Sequence, residues 1–121
     1  MDIWTVQLAD EFQPEYEVLE KPVQLELLSV MQALAIFGSS LGRPKVDTLK
    51  GSYYANMKEI RFKVNNQVWR FAFAFDPGRQ AIVLVGGSKS GGSEKRFYKQ
   101  LIEKADVRYK AHLKQINQED S

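Results

Sequence analysis

Residues 57–88 read MKEIRFKVNNQVWRFAFAFDPGRQAIVLVGGS, and their alternation decides the fold. Ile60, Phe62 and Val64 fall on one face of an extended segment, with Glu59, Arg61 and Lys63 on the other. After Asn65-Asn66 the apolar set resumes as Trp69, Phe71, Phe73 and Phe75. Asparagine tolerates positive φ, so the Asn pair predicts a two-residue hairpin turn. That turn sets Val64 against Gln67, Phe62 against Trp69, Ile60 against Phe71, and Arg61 against Arg70. At Lys58 the apolar pattern weakens, which predicts a bulge or a strand start there. A second turn at Asp76-Pro77-Gly78-Arg79 closes another hairpin, with expected pairs Ile82 with Phe73, Leu84 with Phe71 and Val85 with Arg70. The three strands then share one apolar face and leave the other polar.

Working outward, residues 2–8 carry Ile3, Trp4, Val6 and Leu8 and predict an opening strand. From Pro14 to Phe37 apolar residues recur at helical spacing, with Val23, Leu27, Val30, Met31, Leu34 and Phe37 on one stripe. Pro22 divides the region into a short helix near 11–19 and a longer one near 22–37, which Gly38 ends. Residues 39–56, SSLGRPKVDTLKGSYYAN, read as an extended loop. After Gly86-Gly87-Ser88-Lys89-Ser90-Gly91-Gly92 a last helix begins at Ser93, its stripe being Phe97, Leu101, Ile102, Ala105 and Tyr109. The glycine-rich stretch lacks the order of a nucleotide-binding P-loop. At 121 residues the whole chain, 1–121, is expected to be one α+β domain.

Charge is unevenly spread. Residues 1–42 hold seven acids and one base, Lys21, whereas residues 43–114 hold sixteen bases and six acids. The positive part of the chain predicts a polyanionic or acidic partner. There is no cysteine and His112 is the single histidine, which removes disulfides, thiolate zinc sites, cysteine nucleophiles and multi-histidine metal centres. No metal and no cofactor is expected. The N-terminus lacks the basic and apolar regions of a signal peptide, and no run approaches the ~20 apolar residues of a membrane span, so no membrane association and a cytoplasmic location are expected. His112 is read as a packing or capping residue rather than a chemical one.

Two arginines directly opposite on a sheet repel, so Arg61 and Arg70 need either an intervening acid, for which Glu59 is a diagonal candidate, or an anionic ligand. Lys50, Arg61, Arg70 and Lys89 gather at the polar face and its rims, with Tyr53, Tyr54 and Tyr98 nearby. Lys58, Lys63 and Arg79 extend the set as RNA-binding cations. Arginine grips phosphate bidentately and tyrosine stacks on bases. Without a metal, the compatible reaction is RNA cleavage by attack of a 2′-hydroxyl on the adjacent phosphate. Lys50 and Lys89 are the candidates for proton transfer, and Tyr98 is an orienting or stacking group.

The blocks GRPKVDTLKGS (42–52), NMKEIR (56–61), WRFAFAFDP (69–77) and RFY (96–98) stand in an order and spacing that resemble the HigB-like, phage-derived branch of the RelE/ParE superfamily of type II toxin-antitoxin toxins. The resemblance covers nearly the whole chain. It implies a small α+β fold with an N-terminal strand, a helical pair, an antiparallel sheet and a C-terminal helix. It also implies a ribosome-dependent mRNA endonuclease held in a hetero-oligomer by a cognate helix-turn-helix, HigA-like antitoxin. The family's catalytic positions would fall on Lys50, Arg61, Arg70, Lys89 and Tyr98. One departure is Ser88, where the resemblance calls for an acid before Lys89. ParE-like members of the superfamily poison DNA gyrase and cleave nothing, which makes gyrase poisoning the alternative activity, and an RNA-binding protein without catalysis a third.

Overall fold

Asn65 and Asn66 take left-handed backbone, φ 51° and 66°, and the strand pairing on either side follows from that turn. In the computed structural model, which describes residues 3–89 and 91–119, β3 (Met57–Val64) and β4 (Gln67–Phe75) pair in the expected register. Val64 faces Gln67, Phe62 faces Trp69, Ile60 faces Phe71 and Arg61 faces Arg70. The ladder runs unbroken through Lys58–Phe73 to Met57–Ala74, so no bulge interrupts it at Lys58.

The second hairpin departs from expectation by one residue. Pro77-Gly78-Arg79 forms a three-residue loop, with Arg79 at φ 62° and the Asp76 amide donating to the Gln80 carbonyl at 2.8 Å. A left-handed residue ending the loop is the geometry that three-residue hairpins use, whereas the expected pairs assumed two. The ladder from β4 to β5 (Gln80–Ser88) therefore starts as Phe75–Ala81, Ala74–Ile82 and Phe73–Val83. A bulge then passes over Leu84, after which Ala72 meets Val85, Phe71 meets Gly86 and Arg70 meets Gly87. Gly86 lies under the Phe71 ring, where an added Cβ would come within 2.0 Å of a ring carbon. This close approach requires glycine.

Two further elements complete the sheet. β1 (Thr5–Leu8) lies parallel to β5, and β2 (Val46–Thr48) lies antiparallel to β3, in the order β1-β5-β4-β3-β2. The sheet is therefore mixed rather than wholly antiparallel, because the helical segment after β1 serves as the long crossover that a parallel strand needs. β2 falls in the stretch read as irregular loop, where three residues are too few to show a period.

Helix α1 (Gln13–Glu17) and helix α2 (Lys21–Phe37) carry Pro14 and Pro22 in their first turns, as expected. Val23, Leu27, Val30, Met31 and Leu34 are buried, but Phe37 is 57% exposed. Trp4 takes the space beyond Leu34, its indole lying over Gly38 and packing edge-on to Phe75 at 4.8 Å. One helix among the described residues, over Lys21–Ser40 with mean hydropathy 1.3, is long and apolar enough to cross a membrane, contrary to expectation. In this fold its inner stripe is the core of one sheet face.

Helix α3 (Glu94–Glu119) begins after Ser93, whose Oγ accepts the Arg96 amide at 3.3 Å. Leu101, Ala105 and Tyr109 are buried against the other sheet face, which is therefore covered rather than open and polar along Met57, Ala72 and Ala74. Arg108 ties α3 to the rest. Its Nη1 donates to Glu15 Oε1 at 2.9 Å and to the carbonyl of Leu84, the bulged residue, at 2.7 Å, while Nη2 meets Glu15 Oε2 at 2.5 Å. This guanidinium holds the Glu15 carboxyl below the usual carboxylate range. Arg108→Met is expected to lower unfolding free energy by about 2 kcal/mol, a value discounted because Glu15 is partly exposed. A folded-state pKa that is depressed contributes stability above the unfolded value and loses it as pH falls. In urea titrations the stability difference between the two proteins should therefore narrow as pH falls below ~4 and widen above it, the part due to the Leu84 carbonyl bond remaining throughout.

Candidate nucleic-acid interface

Arg70 stands on the α3 side of β4, and its side chain is only 7% exposed. A guanidinium at that depth needs partners, and α3 and β3 supply them. Its Nε donates to the Tyr98 hydroxyl at 2.8 Å, and its Nη2 donates to Glu94 Oε1 at 3.0 Å. Glu59 Oε1 lies 4.0 Å from Nε and accepts the Tyr98 hydroxyl at 2.5 Å. The guanidinium carbon is 5.4 Å from the Tyr98 ring centre and 5.6 Å from that of Phe97. The acid considered from sequence, Glu59, does sit between the arginines' level and α3, and Glu94 joins it.

Burial and the neighbouring Glu59 carboxylate push the Tyr98 hydroxyl up to about 12, with Arg70 opposing weakly. Tyr98 therefore stays protonated at neutral pH, where it donates to Glu59 and accepts from Arg70. It is suited to positioning Arg70 and unsuited to taking a proton from substrate.

Arg61, directly across from Arg70, is exposed and makes no side-chain hydrogen bond or ion pair among the described residues. It borders a cleft of about 500 Å3 lined by Arg43, Pro44, Lys45, Asp47, Glu59 and Arg61. Arg43 pairs with Asp47 at 3.0 Å and Lys45 with Glu26 at 2.5 Å, all on exposed or half-exposed side chains. The Thr48 amide, followed by Arg43, holds the Asp47 carboxyl below its ordinary value. Arg43 and Lys45 are site residues that the sequence pattern does not mark, since nothing in it pairs their segment with β3. Their placement follows from β2, whose Val46 pairs with Ile60, and from the Arg61 amide donating to the Lys45 carbonyl at 2.8 Å.

The other expected residues are spread around this centre. Lys89 is exposed just past Ser88, at the end of β5 where Gly87 faces Arg70. Lys63 is exposed two residues beyond Arg61 on the same face. Lys50 lies past the Leu49 to Met57 backbone bond, which is itself about 13 Å along β3 from Arg61 at roughly 3.3 Å per residue. Lys58 points to the opposite face, in register with Phe73 and with its Nζ 3.4 Å from Thr48 Oγ1. Arg79 is at the far turn, its guanidinium carbon 4.9 Å from the Trp4 ring centre. Arg61, Arg70 and Tyr98 are thus assembled with Lys89 and Lys63 beside them, while Lys50, Lys58 and Arg79 stand apart. Ser52 and the Tyr53 amide both bond to Asp106, at 2.5 and 3.0 Å, which fastens the loop after Lys50 to α3. Tyr53 itself is 87% exposed. His112 packs as expected, its Nε2 2.8 Å from Asp76 Oδ2, and Asp76 also accepts the Gly78 and Gln80 amides. No cluster of metal-ligating side chains occurs among the described residues.

A family of Gp49-like, phage-derived proteins matches residues 15–110. Two Mycobacterium tuberculosis proteins that carry the toxin names HigB2 and HigB3 are each 41% identical to this chain, over 92 and 90 residues respectively. Each alignment takes in 74% of this chain, and the chain spans 45% of the length of HigB2 and 76% of that of HigB3. Among solved structures, an arginine double mutant of the E. coli toxin RelE in the free state superposes with a TM-score of 0.60 at 12% identity, covering 84% of this chain and 96% of that one. At that identity the likeness concerns the fold, an N-terminal strand, helices, a mixed sheet and a C-terminal helix. The chain belongs to the Gp49-like family of phage-derived toxins, HigB-like members of toxin-antitoxin systems built on the RelE fold.

Proposed function

We propose that the protein is an mRNA endonuclease that arrests translation by cutting messages on the ribosome, held inactive by a cognate helix-turn-helix, HigA-like antitoxin in a hetero-oligomer. The observation that supports this most is an exposed Arg61, without a side-chain partner among the described residues, set directly across the ladder from a buried, oriented Arg70 and bordering a cleft that Arg43 and Lys45 also line. Such a pair suits a phosphodiester whose charge grows during reaction. One guanidinium is preorganised by Tyr98 and Glu59, and the other is free to close on the ligand.

In the proposed reaction the ribose 2′-oxygen bonds to the adjacent phosphorus and the bond to the 5′-oxygen breaks. The 2′-proton leaves to a base, and a proton returns to the departing 5′-oxygen. Arg61 and Arg70 hold the non-bridging oxygens, and Lys89 stands at the strand end as the donor for the leaving oxygen. Lys63, Arg43 and Lys45 track the backbone on either side, and Lys50 meets a neighbouring nucleotide rather than the scissile phosphate. The step draws on no metal and no cofactor. A site on this face would act in the cytoplasm, where translation occurs.

Adding the purified protein to a reconstituted translation reaction should stop amino-acid incorporation at substoichiometric toxin, as expected of a catalyst. Inhibition that appears only at one toxin per ribosome would point to a blocking protein instead.

A further inference from the structure

Glu94 is the least buried member of the Arg70 group, its side chain 57% exposed while that of Arg70 is 7% and that of Glu59 is 11%. Its carboxylate takes one face of the guanidinium fork, Nη2, from the solvent side, and the Tyr98 hydroxyl takes Nε. Tyr98 and Glu59 are locked to each other and do not depend on Glu94. With Glu94 in place, the two arginines are matched by two carboxylates, Glu59 and Glu94, so the local field offers little to an incoming anion. Without it, Arg61 and Arg70, paired across the ladder, face one carboxylate, and Arg70 Nη2 loses its carboxylate partner.

We propose that Glu94 occupies, in the substrate-free protein, the position on Arg70 that a substrate phosphate takes, so that Arg70 is a phosphate-binding group entered by exchange of one anion for another. This rests on the nucleic-acid reading above and names how its buried arginine becomes available. A carboxylate and a phosphodiester both present two oxygens to a guanidinium. An exposed side chain needs only a rotamer change to withdraw, and exposed pairs are weak enough to be exchanged. The arrangement keeps a buried charge satisfied until the ligand arrives.

The test is binding of a fluorescent single-stranded 2′-deoxyribo-oligonucleotide at low salt, a probe that lacks the 2′-hydroxyl and stays intact. Glu94→Gln keeps the side-chain shape and removes its charge, and affinity is expected to rise about two- to fivefold, the span an exposed pair represents. Glu103→Gln makes the same change in net charge further along α3, and no comparable gain is expected. Tm of Glu94→Gln should fall slightly, since an acid in the first helical turn is lost. Equal affinity of Glu94→Gln and the unchanged protein, or an equal gain from Glu103→Gln, would overturn the exchange while leaving the nucleic-acid reading in place. If neither the protein nor the variants bind the oligonucleotide, both fall together.

Discussion

Arg61→Ala is expected to reduce message cleavage by about 10²–10³-fold, the cost of removing one oriented charge from a site where charge develops. Stability should hold, because Arg61 is exposed and bonded to no side chain among the described residues. Surface changes of that kind stay within about 0.5 kcal/mol, and relief of repulsion with Arg70 acts in the stabilising direction. Tm by calorimetry and initial cleavage rate, measured on the same preparation, separate the two. Arg70 is the less informative target. Its removal would strand Glu59 and Tyr98 at low exposure, so lost activity would be confounded with lost packing.

Gly86→Ala is expected to destabilise the fold by about 3 kcal/mol, while Gly87→Ala should lie within about 1 kcal/mol of neutral. The contrast comes from the ring each new methyl would meet. At Gly86 it would fall 2.0 Å from the fully buried Phe71 ring, which is hemmed in by Phe12, Phe62 and Trp69 with ring centres 5.5 to 6.1 Å away. At Gly87 the nearest atom is in the Phe97 ring at 3.7 Å, an ordinary contact. Denaturant midpoints of the two variants would check the β4–β5 register directly, because the pairing expected from sequence sets Leu84 rather than Gly86 against Phe71. Equal effects at the two glycines would mean that the bulge at Leu84 is misplaced.

The first hairpin was legible because its signal is doubled. Alternation on both strands and an Asn-Asn turn agree on one register, and Arg61 against Arg70 follows by counting. The second hairpin was not, because Asp76-Pro77-Gly78-Arg79 is compatible with a two- or a three-residue loop. Nothing in the alternation of β5 distinguishes them when Ile82, Val83, Leu84 and Val85 are apolar on both faces. That run reflects a strand buried on both faces over residues 81–85, with α3 packed on one of them, so a period of two has no polar face to show. For the same reason Arg70 was assigned to an open surface, whereas α3 lies over it.

The candidate site is half legible in the sequence. Arg61 and Arg70 follow from the ladder, but Arg43 and Lys45, which line the cleft beside Arg61, depend on a three-residue edge strand and a loop that have no local signature. Glu94 follows Ser93 directly, where an acid suits a helix start, and that position alone marks no site role. Its contact with Arg70 is a matter of how α3 crosses the sheet, which tertiary packing alone decides.

Primer extension on a defined message in a cell-free translation reaction, with and without ribosomes, tests the central claim most directly. New 5′ ends of downstream fragments, falling within translated codons, present only with ribosomes and absent with Arg61→Ala, are the predicted result. Intact message in every lane, while the protein still arrests growth or DNA supercoiling, would contradict the account and move the activity to a gyrase-poisoning surface.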